Sequence, residues 1–125
     1  MDQTSATYGY RGANIGANSL TDGETNTNRM PNSQAANWCR AKGSTWYLPA
    51  LNELLAIFNN IEILNSALSE TGGIQINTTD SYLSSTEGGT LWARQAYFSG
   101  GKPTAPGSSS DNKNTSYKVR AVRKL

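Results

Sequence analysis

Histidine is absent from this 125-residue chain, and cysteine occurs once, as Cys39. The first absence removes the commonest general base and the commonest metal ligand near neutral pH. The second excludes an internal disulfide framework and any thiolate zinc cluster. Charge is also scarce, at 16% of residues with a net charge of +2. No apolar run approaches the roughly 20 residues that span a bilayer, so direct membrane insertion is not expected. Met1-Asp2-Gln3-Thr4-Ser5 lacks the basic and apolar regions of a signal peptide, and any export signal would lie outside this sequence. Together these absences point away from an enzyme, from a metal site and from a cofactor.

What the chain has instead is neutral polarity. Twelve glycines and long stretches of Ser, Asn and Thr suit loops with adaptable hydrogen bonding. Three Trp, six Tyr and two Phe supply the apolar area that a disordered chain of low hydrophobicity lacks. Residues 1–125 are expected to form one domain, because a chain of this length buries roughly two thirds of its unfolded surface. The cations Lys118, Arg120, Arg123 and Lys124 crowd the C-terminus, but Val119, Ala121 and Val122 are interleaved with them. A terminal strand explains that pattern better than a nucleic-acid interface, so nucleic acid is not an expected partner.

Periodicity places the elements. Residues 1–30 read as a short strand around Thr7–Tyr10 followed by a long ordered loop. Ala35, Trp38 and Cys39 repeat at helical spacing after a cap at Asn32 or Ser33, and Gly43 is placed to end that helix. Cys39 then falls on the buried face, as a small core residue rather than a reactive thiol. Trp46-Tyr47-Leu48 is a short strand, and Pro49 starts a helix in which Leu51, Leu54, Leu55 and Phe58 line one face. Ile61, Leu64 and Leu68 continue a further helix that Gly72-Gly73 closes. Strands follow at Ser81–Ser85, Leu91–Phe98 and Tyr117–Val122, with a loop from Ser99 to Thr115. Helices in the first half and an antiparallel sheet with long loops in the second indicate an α+β fold.

Trp46-Tyr47-Leu48-Pro49-Ala50-Leu51-Asn52-Glu53-Leu54 resembles a "WYLPSLNEL" signature, and Ser81-Tyr82-Leu83-Ser84-Ser85-Thr86-Glu87 resembles "YWSSTE". Val119-Arg120-Ala121-Val122-Arg123 looks like a "VRAVR" ending, and Asp22-Gly23 with Asn26-Thr27 resembles the segment before the first helix of the same family. That family is the lectin-like C-terminal domain of bacterial collagen-like adhesins and gut-bacterial surface proteins, including variable proteins of diversity-generating retroelements. Leu83 stands where the family usually has Trp. Ala93-Arg94-Gln95 and Phe98 also look like one of its variants. The resemblance implies a C-type-lectin-like fold of the formylglycine-generating-enzyme type, with a twisted antiparallel sheet and flanking helices.

It also bounds the chemistry. The oxidase of that fold group depends on two cysteines, and this chain has one. The carboxylates Glu53, Glu62, Glu70, Glu87 and Asp111 have plainer places on helix faces or in loops. Neither Glu-Pro-Asn nor Trp-Asn-Asp occurs, so the calcium-dependent sugar site of animal lectins is not expected.

In the diversified relatives the variable segment lies between the second and third signatures. The same window here is built of Gly, Thr, Leu, Arg, Ala, Tyr, Ser, Pro, Asp and Asn, which randomised adenines in an AAC triplet encode. Trp92, Gln95 and the lysines need other codons. If Ala96 and Phe98 point into the core, Gln95, Tyr97 and Ser99 point away from it. Trp92 shares the inward parity but sits near the strand start. Trp92 and Tyr97 are the expected aromatic anchors of a binding surface, with Thr90, Gln95, Ser99, Lys102, Asp111, Asn114 and Tyr117 around them. The expected partner is an unknown protein or carbohydrate receptor, met on a bacterial cell surface or phage particle. A homo-oligomer, or fusion to a pilus, surface or tail protein, is compatible with this reading. The alternative is an adhesin of fixed specificity for carbohydrate or glycosaminoglycan.

Overall fold

Six consecutive residues, Tyr82–Glu87, form strand β3, and every one of them is buried. Neighbouring side chains on a strand point to opposite faces, so protein must cover both sides of the sheet here. The computed structural model describes residues 3–107 and 110–124, which leaves Ser108 and Ser109 of the expected loop outside the described residues. The elements before β3 are β1 (Thr4–Ala6), α1 (Gly23–Asn28), α2 (Gln34–Arg40), β2 (Trp46–Tyr47), α3 (Leu51–Asn59) and α4 (Ile61–Thr71). Those after it are β4 (Ala93–Ser99), β5 (Lys102–Thr104), β6 (Tyr117–Val119) and β7 (Val122–Arg123). The fold is α+β: four helices with a mostly antiparallel sheet among the described residues.

The main sheet runs in the order β1-β6-β3-β4-β5, and β2 pairs with β7 in a separate ribbon. Tyr82, opposite Ala96, faces a core of Leu51, Leu54, Phe58 and Ile76 supplied largely by α3. Phe58 meets Tyr82 edge-on, with centroids 5.5 Å apart, and stacks on Phe98 at 5.0 Å. Leu83 faces the other way, into a core of Ala6, Tyr8, Met30, Ala35, Cys39 and Val119. Leu at this position fills its space, being 1% exposed. Burial pushes the Cys39 thiol up to about 12, which fits an inert core residue.

The signature segments meet in one buried polar framework. Asn26 accepts from Ser19 N–H, and its amide donates to Ser19 O at 2.7 Å and Ser85 Oγ at 3.2 Å. Thr27 Oγ1 accepts from Leu48 N–H at 3.1 Å. Glu53 Oε1 accepts from both Gly23 N–H and Ala50 N–H, while its Oε2 accepts from Tyr47 Oη. Thr86 Oγ1 accepts from Leu51 N–H and donates to Ser19 O. Backbone groups that would be orphaned inside the molecule are thereby satisfied. Gly23 is required by this closeness: a Cβ there would lie 2.5 Å from Leu48 O and 2.6 Å from Ala50 N.

Several elements differ from expectation for physical reasons. The first strand forms at Thr4–Ala6, not Thr7–Tyr10. Thr7 N–H is bonded to Gln34 Oε1 and Thr7 O to Ala35 N–H, and Gly9 and Tyr10 take positive φ of 84° and 59°. Residues expected as loop form α1, whose polar sequence hides it, because its buried face is Asn26 and Thr27 rather than a hydrophobic stripe. Ser33 Oγ caps α2 by accepting from Ala36 N–H. Pro49 precedes α3, which begins at Leu51, since Pro49 O is bonded to Ser85 N–H.

The long loop after β4 contains β5, an edge strand in which Pro103 lacks a donor without cost to the sheet. The final expected strand is two short ones in different sheets, because the chain turns at Arg120-Ala121 from β6 to β7. β1 and β2 lie in the first half of the chain, and β3 pairs with β6 in parallel, so neither the segregation nor the antiparallel pattern is complete.

Candidate ligand-binding surface

Gly88 and Gly89 both donate backbone bonds to Trp92 O, at 3.1 and 3.0 Å, and so close the turn between β3 and β4. The Trp92 indole lies flat on this turn. A Cβ at Gly88 would sit 2.6 Å from three of its ring carbons, and one at Gly89 would sit 2.8 Å from its Nε1. Arg94 covers the ring from its side, with its guanidinium carbon 5.1 Å from the centroid. Trp92 is therefore half-buried and held in place. Thr90 and Leu91 stand exposed at the tip.

Two other segments dock onto this turn. Gly12 N–H bonds to Thr90 O at 2.8 Å, and Asn112 and Lys113 N–H both bond to Leu91 O. The Asn112 amide continues the sheet without being a strand, accepting from Ala93 N–H at 2.8 Å and donating to Ala93 O at 3.0 Å. Lys113, fully buried, donates to Glu87 Oε2 at 2.8 Å and to Ala13 O at 2.8 Å, and its ammonium lies 5.7 Å from the centre of the Tyr8 ring. Glu87 in turn accepts from Ile15 and Gly16 N–H. Tyr8 Oη donates to Ser85 O, and burial, with Glu87 nearby, pushes its pKa far above the usual phenol range.

On the outer side Asp111 receives a forked bond from the Arg11 guanidinium, with Nε at 2.9 Å from Oδ1 and 2.7 Å from Oδ2. Arg11 holds the Asp111 carboxyl below its ordinary range, first through the hydrogen bonds and then through its charge. Asn114 is exposed. Thr90, Trp92, Asp111 and Asn114 are thus brought together at one end of the sheet.

The remaining expected positions lie elsewhere. Ala96 and Phe98 face the α3 core, so the alternation along β4 turns Gln95, Tyr97 and Ser99 to the opposite face. Ser99 is exposed and opposes Lys102, while Tyr97 opposes Thr104. β4 is long enough to separate Ser99 from the Trp92 turn by about 20 Å. Gln95 lies between the two groups, half-buried opposite Leu83, and its Oε1 is buried without a hydrogen bond. Tyr117, on β6, packs against the core beneath α2 and belongs more to the framework than to an open surface. A wide groove of about 840 Å³ with mixed polar and apolar walls adjoins the Ser99 group, lined by Phe98, Gly100 and Gly101 on one side and Glu62, Ser66 and Ser69 of α4 on the other.

Seven of the nine positions therefore fall into two groups rather than one continuous patch, with Gln95 between them and Tyr117 in the framework. Arg11 and Gly12 complete the first group, although no local pattern marks them, because their partners Asp111 and Thr90 are remote in sequence. The basic C-terminal residues do not form one exposed patch. Arg120 is 3% exposed, Lys124 pairs with Glu24 at 3.3 Å, and Arg123 lies over Trp46.

No trio of metal-binding side chains occurs among the described residues, and no helix among them is long and apolar enough to cross a membrane. Comparison with family models, curated proteins and solved structures gives no match. The resemblance of this chain to the lectin-like family thus rests on its sequence motifs alone.

Proposed function

We propose that this chain, residues 1–125, is a single non-enzymatic ligand-recognition domain with a C-type-lectin-like fold, displayed on a bacterial cell surface, pilus or phage particle. Its binding surface is changeable, as in retroelement-diversified variable proteins. One observation carries the reading: in the loop before β6, Asn112 and Lys113 are buried and fully bonded while their neighbours Asp111 and Asn114 face solvent. A loop gripped from beneath holds its shape whatever its outer side chains are. Thr90 at the adjoining tip and Ser99 and Lys102 on the β4–β5 hairpin are exposed in the same way. The signature residues support the reading from the other direction, since Asn26, Glu53, Ser85 and Thr86 spend their polar groups on the framework.

The competing reading, an adhesin of fixed specificity for carbohydrate or glycosaminoglycan, draws less support because the terminal cations do not form one exposed patch. A library randomised at Thr90, Ser99, Lys102 and Asn114 tests the proposal. Most members should fold and melt close to the parent, and selection should yield binders to unrelated targets. General unfolding of the library would refute it. The flanking DNA supplies a second test, a near-copy of the 3′ gene segment differing mainly at adenines beside a reverse transcriptase. If neither is present, the diversification reading fails and the fixed adhesin replaces it.

A further inference from the structure

The turn at Arg120-Ala121 carries the chain out of the main sheet and leaves a space between the β2–β7 ribbon and the two long helices. This cavity measures about 480 Å³ and is walled by Trp46, Leu54, Ile57, Leu64, Ile76 and Val122. Such a volume and such walls are in the range of small-ligand pockets, roughly 300–1,000 Å³ and mainly apolar with a few placed polar groups. The polar groups here have one sign. Arg120 and Arg123 line the cavity and no acidic residue does. Arg123 is exposed at the mouth, its guanidinium carbon 5.6 Å from the centre of the Trp46 ring, and no carboxylate among the described residues pairs with it. Arg120 is buried, with Nη1 donating to Gln3 Oε1 at 3.0 Å. Ile57 and Leu64 also border an apolar strip outside the cavity, formed with Ala56, Ile63 and Ala67, where Ile63 is 76% exposed.

We propose that this cavity binds a single-chain amphiphile with an anionic head, of the class of a long-chain carboxylate. The head sits at the mouth against the Arg123 guanidinium, whose planar donors match a carboxylate. The alkyl chain lies along Leu54, Ile57 and Leu64, and the excess length runs over the strip at Ile63. Cationic amphiphiles are repelled by the Arg123 guanidinium, and uncharged ones forgo the headgroup bond. None of the residues that line this cavity belongs to the recognition surface.

Titration calorimetry with dodecanoate below its micelle concentration tests it on the whole chain, with dodecanol and dodecyltrimethylammonium as controls. Dodecanoate should bind one to one, dodecanol more weakly, and the cation not at all. Arg123→Gln should weaken dodecanoate about tenfold, the loss of one charge-assisted contact, and leave dodecanol unchanged. Leu64→Trp, which fills the cavity, should abolish both while circular dichroism stays native. If that variant misfolds, Ile57→Phe makes the same test with a smaller side chain. Absence of saturable dodecanoate binding, binding that survives both the filling and the Arg123 variants, or binding to anionic vesicles alone would overturn the proposal.

Discussion

Two ion pairs fasten the same loop, one from beneath to Glu87 at the end of β3 and one from above to Arg11. Lys113 and Glu87 have side chains 0% and 3% exposed, and their remaining polar capacity is filled by Ala13 O and by the Ile15 and Gly16 amides. Arg11 and Asp111, two residues away along the loop, have side chains 48% and 37% exposed. In water the outer pair gains little Coulomb energy and is screened by salt, whereas the inner pair sits where an unmatched charge is very costly. The difference separates what shapes this loop from what it presents. Its inner side is a constraint on the fold, and its outer side is open to change.

Breaking the inner pair should give the largest effect. Lys113→Met leaves the Glu87 carboxylate buried without its cation, which should cost about 3 to 5 kcal/mol in urea unfolding. Combining it with Glu87→Gln should recover part of the loss, because two uncharged groups need no mutual compensation. A Lys113 variant of native stability would dissolve the contrast between the two pairs. Leu54→Ala calibrates the scale, since Leu54 is 1% exposed in the α3 core and should cost about 2 to 5 kcal/mol. The loop's inner cation would then matter as much as a core leucine. Asn112→Ala should come next, at about 1 to 3 kcal/mol, because it leaves the N–H and C=O of Ala93 without partners. Hydrogen exchange at the Ala93 amide should quicken in that variant.

How legible this contrast was depended on the range over which each interaction acts. Leu51, Leu54 and Phe58 were readable because their spacing is local and apolar, and the capping Ser33 and the left-handed Gly72 were readable as helix boundaries. Alternation along β4 placed Ala96 and Phe98 inward and Ser99 outward. The helix α1 was hidden because it buries Asn26 and Thr27, which carry no hydrophobic signal, and β5 was hidden by Gly100, Gly101 and Pro103. That hidden strand pairs Ser99 with Lys102 and so fixes where the second group of site residues lies. Arg11 and Asp111 are 100 positions apart, as are Lys113 and Ala13, and no window along the chain relates them. Gly88-Gly89 announced a turn, but not that Trp92 would be held flat against it.

The smallest effect should come from the outer pair, and it is the sharpest test of the comparison. Arg11→Ala removes every hydrogen bond from the Arg11 guanidinium to Asp111, but each group already meets water, so the lost attraction is largely replaced by hydration. The sign of its pH dependence is fixed by the direction of the Asp111 shift. A carboxyl held below its ordinary value of 3.8 contributes stability above that value, and the contribution is lost as pH falls through the lower folded value. Wild type and Arg11→Ala should therefore differ slightly at neutral pH and low ionic strength. They should converge as the solution is acidified below the folded value, and also near 1 M salt, where the screening length is about 3 Å. Urea unfolding of both proteins across pH 2–7 at two salt concentrations measures this directly. A penalty at neutral pH that matches Lys113→Met, or one that persists unchanged at high salt, would mean that the outer side of the loop is as constrained as the inner, and that Asp111 is not free to vary.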